Sequence, residues 1–487
     1  MADPDHDGAS WYAANSAAAP ERGRLSLELD VDVCVIGGGL AGLTAALNMA
    51  RRGWSVAVLE ARRVAWNASG RNAGLVLPGF SADVSSLIGK LGLDTAKRLW
   101  ALSASGAEAV RQTARTLPGV ELEEAGWLHV SRTAADRTLQ SAAERLAGEL
   151  GTPAEVWPAE RVRSLLRSTH YFGGLHLPGG FTINPLNYSL GIAAAAEAAG
   201  ARIFEHTPAL EIDPAGVRKR IVTPSARLRA GHVVLAGNVH IGTLRPDLAG
   251  TLVELSAYAM VTEPLGARLR EAVRFSGAVT DSELGDSDYR VVGGDRLLWA
   301  DRCTAWQGNP GRYAGKMLSD IARRYPQLGA VKADYAWSGT IGLPVHGMPQ
   351  IGELSPGVWL ASGFGSHGIN TAAMAGELVA AAIVDGAQHW RAFDLFDLVW
   401  AGGRAGRAAV QSAYWYGRAS EQARAWLARR GAGIELEPAE AEAVPDPVTE
   451  DAAAAPAAPV KRRKRRRKKA AKQDGDPAAA EPPATPT

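Results

Sequence analysis

A chain of 487 residues in which 46% are apolar and 21% charged has the make-up of an ordinary soluble protein with two or three domains, large enough for substantial cores and a cleft between them. A formal net charge of +2 does not by itself mark a nucleic-acid or membrane binder. Two cysteines, Cys34 and Cys303, exclude a disulfide framework or cysteine metal cluster; with no His-Glu-x-x-His or Cys-x-x-Cys spacing, no metal is expected and a reducing, cytoplasmic setting fits best.

The first 28 residues read as a leader without the basic start and apolar core of a secretory signal, and no uninterrupted apolar run reaches the roughly 18 residues of a transmembrane segment. Asp32–Ile36 then reads as a short buried strand, Leu40–Arg52 as a helix stopped by Gly53, and Ser55–Leu59 as a second buried strand. Together they form one βαβ unit with a right-handed crossover. Leu87–Leu150 is mostly helical in pattern, with a strand at Trp127–Val130. A helix at Leu186–Ala199 precedes strand candidates at Arg202–Glu205, Ala209–Ile212 and His232–Ala236, the last ending in Ala236-Gly237-Asn238, small residues that let backbone approach a cofactor. Leu255–Thr262 and Arg296–Ala300 look like strands of a separate sheet. Val358–Ser362 enters a Gly-rich turn and a helix, Gly368–Val384, so the pattern of the first unit returns near the end.

The resulting expectation is an α/β fold with a Rossmann-like domain assembled from discontinuous segments, 29–80, 181–254 and 338–385. A substrate domain fills 81–180 and 255–337, and a helical segment covers 386–430. From Gly431 the chain is rich in Ala, Pro and Glu, then carries nine consecutive basic residues, Lys461–Lys469; this reads as a disordered tail. The basic run is either a solvated end or a binder of an anionic partner, nucleic acid or lipid.

Gly37, Gly39 and Gly42 satisfy Gly-x-Gly-x-x-Gly at the strand-to-helix junction. The first permits the tight turn, the second lets backbone approach a pyrophosphate, and the third lets the helix pack on the strand. Leu40 and Ala41 open the helix, whose unpaired N–H groups suit phosphate. Glu60, eighteen residues past Gly42 at the tip of the second strand, is placed for ribose hydroxyls, followed by Ala61 and Arg62. An acid there argues against NADP. FAD is preferred to NAD because the unit lies near the N-terminus and is followed by a second small polar loop, Ala68-Ser69-Gly70-Arg71-Asn72-Ala73-Gly74, able to wrap a pyrophosphate and reach a flavin ring.

A third loop, Gly363-Phe364-Gly365-Ser366-His367-Gly368-Ile369-Asn370, ends at a second helix N-terminus. Facing a flavin pyrimidine, its dipole would favour the negative charge of reduction. Ser366 and Asn370 are equally plausible as helix caps, and His367 as a packed residue or as an acid–base group.

With these loops assembled, the chain resembles the D-amino acid oxidase superfamily, and within it the gamma-glutamylputrescine oxidoreductase-like branch. The resemblance runs from about Ser10 to Asp385. It is carried by Ser10-Trp11-Tyr12-Ala13-Ala14, Ser69 to Gly74, Ile183-Asn184-Pro185-Leu186-Asn187, Leu235-Ala236-Gly237-Asn238, Thr262-Glu263-Pro264-Leu265, Trp337-Ser338-Gly339-Thr340, Pro349-Gln350-Ile351-Gly352 and Gly363 to Gly368. It implies oxidation of a C–N bond to an imine, hydrolysis to an aldehyde or keto acid, and reoxidation of FAD by oxygen with release of hydrogen peroxide. It also implies a second domain whose mixed sheet roofs the flavin. Sarcosine oxidase-like members place a Lys where Asn370 stands, and glycine oxidase-like members an Arg near Ile341; without those cations a buried carboxylate is costly, so small amino acids become poor substrates unless Arg302, Arg290 or His346 substitutes. The position of covalent flavin attachment in sarcosine oxidase-like enzymes falls near Gly339, so FAD is expected to be noncovalent. His346 stands where relatives commonly carry Asp.

The leading expectation is an amine oxidase, with His367, Arg302, Tyr258, Trp337 and Arg71 as candidates for the substrate face; Tyr258 and Trp337 could instead be core aromatics. The alternatives are a dehydrogenase that passes electrons to a carrier in place of molecular oxygen, and a flavin-binding protein docked through its basic run. A tRNA-modifying flavoenzyme is weakened by the absence of a methyltransferase-like partner domain.

Overall fold

The computed structural model describes residues 10–16, 19–134, 136–281 and 287–431. The chain divides into two units, Met1–Ala439 and Glu440–Thr487, and the second lies wholly outside the described residues. So does the expected tail beyond Gly431, with its basic run.

Two eight-stranded sheets organise the first unit. The nucleotide sheet has the spatial order Gln350–Ser355, Val358–Ser362, Arg227–Leu235, Leu29–Ile36, Val56–Leu59, Arg202–Phe204. All neighbours are parallel except the antiparallel edge strand Gln350–Ser355. Val33–Ile36 and Val56–Leu59 are continuously buried, as a parallel strand covered on both faces requires. The strand expected at Ala209–Ile212 forms at Glu211–Asp213 and stands off the parallel order, pairing antiparallel with Lys219–Val222.

The roof sheet runs Ala333–Pro344, Leu252–Thr262, Arg296–Thr304, Asp288–Val292, Ala278–Thr280, Trp127–Val130, Gly173–Leu177, Glu155–Pro158. It is mixed, Ala278–Thr280 and Trp127–Val130 being its parallel pair. Leu252–Thr262 and Ala333–Pro344 pair along their whole length. The expected segment limits after 254 and 337 therefore fall inside continuous ladders, and the chain changes sheets at the strand ends instead.

One face of the nucleotide sheet is covered by the helices Leu40–Ala50 and Gly368–Asp385, with Leu93–Thr116 packed behind them. Gly368–Asp385 is long and apolar enough to cross a membrane by length and composition, but 67% of it is buried in protein, and its alanines pack against the other two helices. Close approach depends on two glycines. A Cβ on Gly376 would come 2.7 Å from the Ala41 carbonyl oxygen, and one on Gly106 would overlap the Asn370 carbonyl and lie 2.7 Å from Met374 Cβ.

The N-terminal segment is built into this body. Tyr12 is fully buried, edge-on to Trp337 at 5.7 Å between centroids, and Arg22 is paired with Glu197 and Glu205. At the other end, the helix Gly403–Gly431 is fastened to the roof by a buried ion network. Arg418 binds Asp301, Arg324 binds Asp281 and Asp320, and Arg132 binds Glu421 and Asp281. Three carboxylates taken out of water are thereby compensated, without which each would cost several kcal/mol.

Substituting Gly106→Ala should lower the stability of the holoprotein by about 1–3 kcal/mol, because the helix carrying Asn370 must shift to admit the methyl group. Urea unfolding followed by circular dichroism measures this, and an unchanged midpoint would mean that the two helices do not touch there.

Candidate active site

A cavity of about 920 Å³ lies between the two sheets, near the upper end of the roughly 300–1,000 Å³ typical of small-molecule sites. It begins at the first βαβ unit. Gly37 has φ of +115°, and a Cβ there would lie 2.7 Å from the Ala236 backbone, so only glycine fits the turn. Gly39, Leu40 and Ala41 line the cavity; Gly42 does not, because it is pressed against the Gly37 carbonyl and Val35. Gly37 thus serves the turn and Gly42 the packing, while Gly39 is on the cavity. Gly39 caps the helix without a side chain, and the Leu40 N–H donates to Ser69 Oγ at 2.9 Å.

Glu60 lines the same end with Ala61 and Arg62. One of its oxygens accepts from Gly38 N at 2.7 Å and the other from Arg62 N at 2.8 Å, which fixes the carboxylate. Burial pushes it above the usual carboxylate range, opposed by those two N–H donors.

The second loop is braced from within: Asn72 donates to the Ala68 and Ser69 carbonyls and accepts from Gly74 N. Ser69, Arg71, Asn72 and Ala73 face the cavity. Gly70 and Gly74, expected at the cofactor, do not. A Cβ on Gly70 would strike the Ala65 carbonyl oxygen at 2.5 Å, and Gly74, at φ +75°, lies against Ile183 and Arg290, so both serve loop geometry. The same correction applies to Gly363, whose φ is +71° and whose Cβ would meet Pro344 Cγ at 2.6 Å, whereas Gly237 does line the cavity.

Gly365, His367, Gly368, Ile369 and Asn370 complete the opposite wall. The helix that starts at Gly368 has no side-chain cap, so its first N–H groups remain available to a ligand. The Asn370 amide is turned inward, to Ser103 Oγ at 2.9 Å and the Gly79 carbonyl at 3.3 Å, so that only its backbone is offered to the site. His367 rests on Gly79, where a Cβ would come 2.7 Å from Nε2, and burial depresses its pKa to about 4. It is neutral near pH 7, which suits packing better than acid–base exchange.

On the roof, Tyr258 lines the cavity but its hydroxyl is engaged, 2.9 Å from Thr304 Oγ1 and accepting from Gly308 N at 2.8 Å, with its ring stacked on Tyr313 at 3.9 Å. Trp337 is corrected to a core aromatic: it is fully buried, and its indole N–H donates to the Arg71 carbonyl at 2.8 Å, holding the flavin loop to the roof. Arg302 lies in the strand Arg296–Thr304, and its side chain is outside the described residues. Arg290 is spent on protein acceptors, the carbonyls of Ala73 and Ile183, Thr182 Oγ1 and the Tyr12 hydroxyl, and does not line the cavity. His346 is also away from the cavity, tilted against Phe396 at 5.3 Å.

Several lining residues carried no sequence signal. Asn67, next to the second loop, exchanges hydrogen bonds with the Thr340 backbone and lies 2.7 Å from His240 Nε2. Asp288 on the roof, and Tyr414 on the helix Gly403–Gly431, enter from parts of the chain with no motif. Among the described residues no group of three or more His, Cys, Asp or Glu side chains is placed to hold a metal.

The donor set fits a dinucleotide flavin, with two uncapped helix N-termini, a glycine cradle and a fixed acid spaced along one cavity. The comparisons agree. Residues 32–382 match the family described as DAO, FAD dependent oxidoreductase. Over 390 residues the chain is 30% identical to gamma-glutamylputrescine oxidoreductase of Escherichia coli (strain K12), spanning 79% of this chain and 91% of that protein. It is 30% identical over 380 residues to the probable oxidoreductase OrdL of Rhizobium meliloti (strain 1021), spanning 77% and 88%. In fold it resembles glycine oxidase from Geobacillus kaustophilus, with a TM-score of 0.63 at 22% identity over 76% of this chain and 99% of that one.

His367 provides a test. Its folded pKa of about 4 lies below the unfolded value of about 6.5, so its contribution to stability is complete above about pH 6.5 and is lost as pH falls toward 4. His367→Gln should therefore lose less Tm than the native protein between about pH 7 and pH 5, as thermal unfolding of both will measure.

Proposed function

Because the chain belongs to the DAO family of FAD-dependent oxidoreductases, we propose that it oxidises the C–N bond of a primary or secondary amine lacking an α-carboxylate, giving an imine that hydrolyses to an aldehyde. The observation that carries this reading is the engagement of Arg290 with four protein acceptors outside the cavity, beside a neutral His367. A substrate carboxylate would gain little from either, and Arg71, the guanidinium of the second loop on the cavity, already donates to the Ser338 carbonyl. The name of the Escherichia coli relative points to a gamma-glutamylated amine, whose reacting terminal nitrogen likewise has no α-carboxylate beside it.

FAD, when bound, supplies the two-electron acceptor for the substrate C–H bond, and oxygen is the proposed reoxidant, with peroxide as product. The chain's own groups hold and orient. The turn at Gly37–Gly42 and the N–H groups opening Leu40–Ala50 suit the pyrophosphate, Glu60 the ribose, and the second loop the remaining length of the cofactor. The uncapped start of Gly368–Asp385 brings partial positive charge to the wall where reduction adds electron density. With His367 neutral, no imidazolium stands on that wall to repel the amine, whose reacting nitrogen must first lose its proton to solvent for hydride loss to occur.

Anaerobic mixing of the yellow holoenzyme with putrescine, gamma-glutamylputrescine, sarcosine, glycine and D-alanine tests this. Flavin absorbance should bleach with the first two and not with the amino acids, and aerobic turnover should release peroxide. Bleaching by glycine or D-alanine alone would overturn the substrate class, and turnover with an artificial acceptor but not oxygen would make the enzyme a dehydrogenase.

A further inference from the structure

Asp288 stands at the start of the strand Asp288–Val292, opposite Ala300 in the roof sheet, and lines the cavity together with Trp127 and Leu75. It is half-buried, and the space it faces is the cavity. A relay of hydrogen bonds orients it. Trp127 Nε1 can only donate, and does so to Thr280 Oγ1 at 2.7 Å; the Thr280 hydroxyl, having accepted there, sends its own proton to Asp288 Oδ1 at 2.5 Å. Asp288 Oδ1 is thus held as an acceptor, and Oδ2 takes no hydrogen bond from any described residue. Of the other two carboxylates on the cavity, Asp301 is bound by Arg418, and Glu60 accepts from the Gly38 and Arg62 N–H groups at the nucleotide end. Burial, together with the negative charges of Asp281 and Asp301, raises the Asp288 pKa to about 7 despite the Thr280 bond, so a cation beside it would relieve an unfavourable arrangement.

We propose that Asp288 binds a second, non-reacting ammonium of the substrate, which makes the enzyme selective for amines that carry two basic nitrogens. The inference rests on the amine-oxidation reading above. The assignment to the non-reacting nitrogen follows from charge. A carboxylate stabilises the protonated form of its partner, whereas the nitrogen whose C–H bond is oxidised must be neutral. An acid poised as an acceptor therefore suits the end of the substrate that stays charged. A charge-assisted hydrogen bond to a half-buried carboxylate is strong enough to discriminate a diamine from a monoamine of the same length. The indole of Trp127 supplies apolar surface beside the carboxylate for the connecting methylenes.

The test compares 1,4-diaminobutane with butylamine on the full-length holoenzyme, native and Asp288→Asn, reading both the dissociation constant from perturbation of the oxidised flavin spectrum and the rate of anaerobic bleaching. Asp288→Asn keeps the shape and should retain native FAD content. It should weaken diamine binding about ten- to a hundredfold while changing butylamine binding less than about threefold. Asp288→Glu should recover part of the loss, and Thr280→Val should produce a smaller one. Equal weakening of both amines, or no weakening of the diamine, overturns the role of Asp288 while leaving the enzyme an amine oxidase. A native holoenzyme whose spectrum responds to neither compound, nor to gamma-glutamylputrescine, overturns the amine reading itself and this inference with it.

Discussion

The hydrogen bonds that residues 67–74 make in two directions hold the cavity between its two sheets. Toward the nucleotide sheet, Ser69 Oγ receives the Leu40 N–H at the start of the first helix. Toward the roof, Asn67 exchanges bonds with the Thr340 backbone, Arg71 donates to the Ser338 carbonyl, and the Arg71 carbonyl receives the Trp337 indole. Each of these bonds is part-buried, so breaking any one leaves a partly desolvated donor or acceptor to be satisfied again. A short loop therefore sets the separation and orientation of two sheets that share no strand pairing.

Around that clamp the electrostatics are graded along the cavity. Glu60 and the opening of Leu40–Ala50 define one end, and the opening of Gly368–Asp385 defines a second partial positive charge. The roof contributes an acid, Asp288, while its buried cations are used elsewhere: Arg290 pins the loop and the N-terminal segment, Arg324 and Arg418 neutralise the carboxylates that fasten the last helix. Arg290, Arg324 and Arg418 are thus engaged with protein groups, while Arg62 and Arg71 belong to the cavity lining.

The helix Gly403–Gly431 shows how much of the site lies far from any motif. Its Val410, Ala413 and Tyr414 close one side of the cavity, Gln411 accepts from Ala305 N, and Tyr414 accepts from Cys303 N. Its outer face leaves Trp415 and Tyr416 exposed, with Trp415 edge-on to Trp306 at 5.8 Å. The packing that places it is polar: carboxylates buried on the roof strands require guanidinium partners, and the helix brings them.

The first βαβ unit and the helix at Gly368 were legible in the sequence because their information is local: a buried apolar run, glycines at fixed offsets, and an acid one strand later. That pattern, with the two later loops, also specified FAD. The roles of individual side chains were less accessible. Gly70, Gly74 and Gly363 belong to the loops expected at the cofactor yet do not line the cavity, because a positive φ or a close backbone approach can by itself demand glycine. Trp337 reads the same way as a core aromatic or a substrate wall, and only its bond to the Arg71 carbonyl distinguishes them. Asp288 had no signal at all, since its character comes from Thr280 and Trp127, residues 8 and 161 positions away that meet it only when the roof sheet forms. The sequence by itself determined the cofactor and the oxidoreductase family, which rest on backbone geometry encoded over short spans; tertiary structure alone decided which charges face the cavity, because a charge is defined by its partners and those partners are distant in the chain.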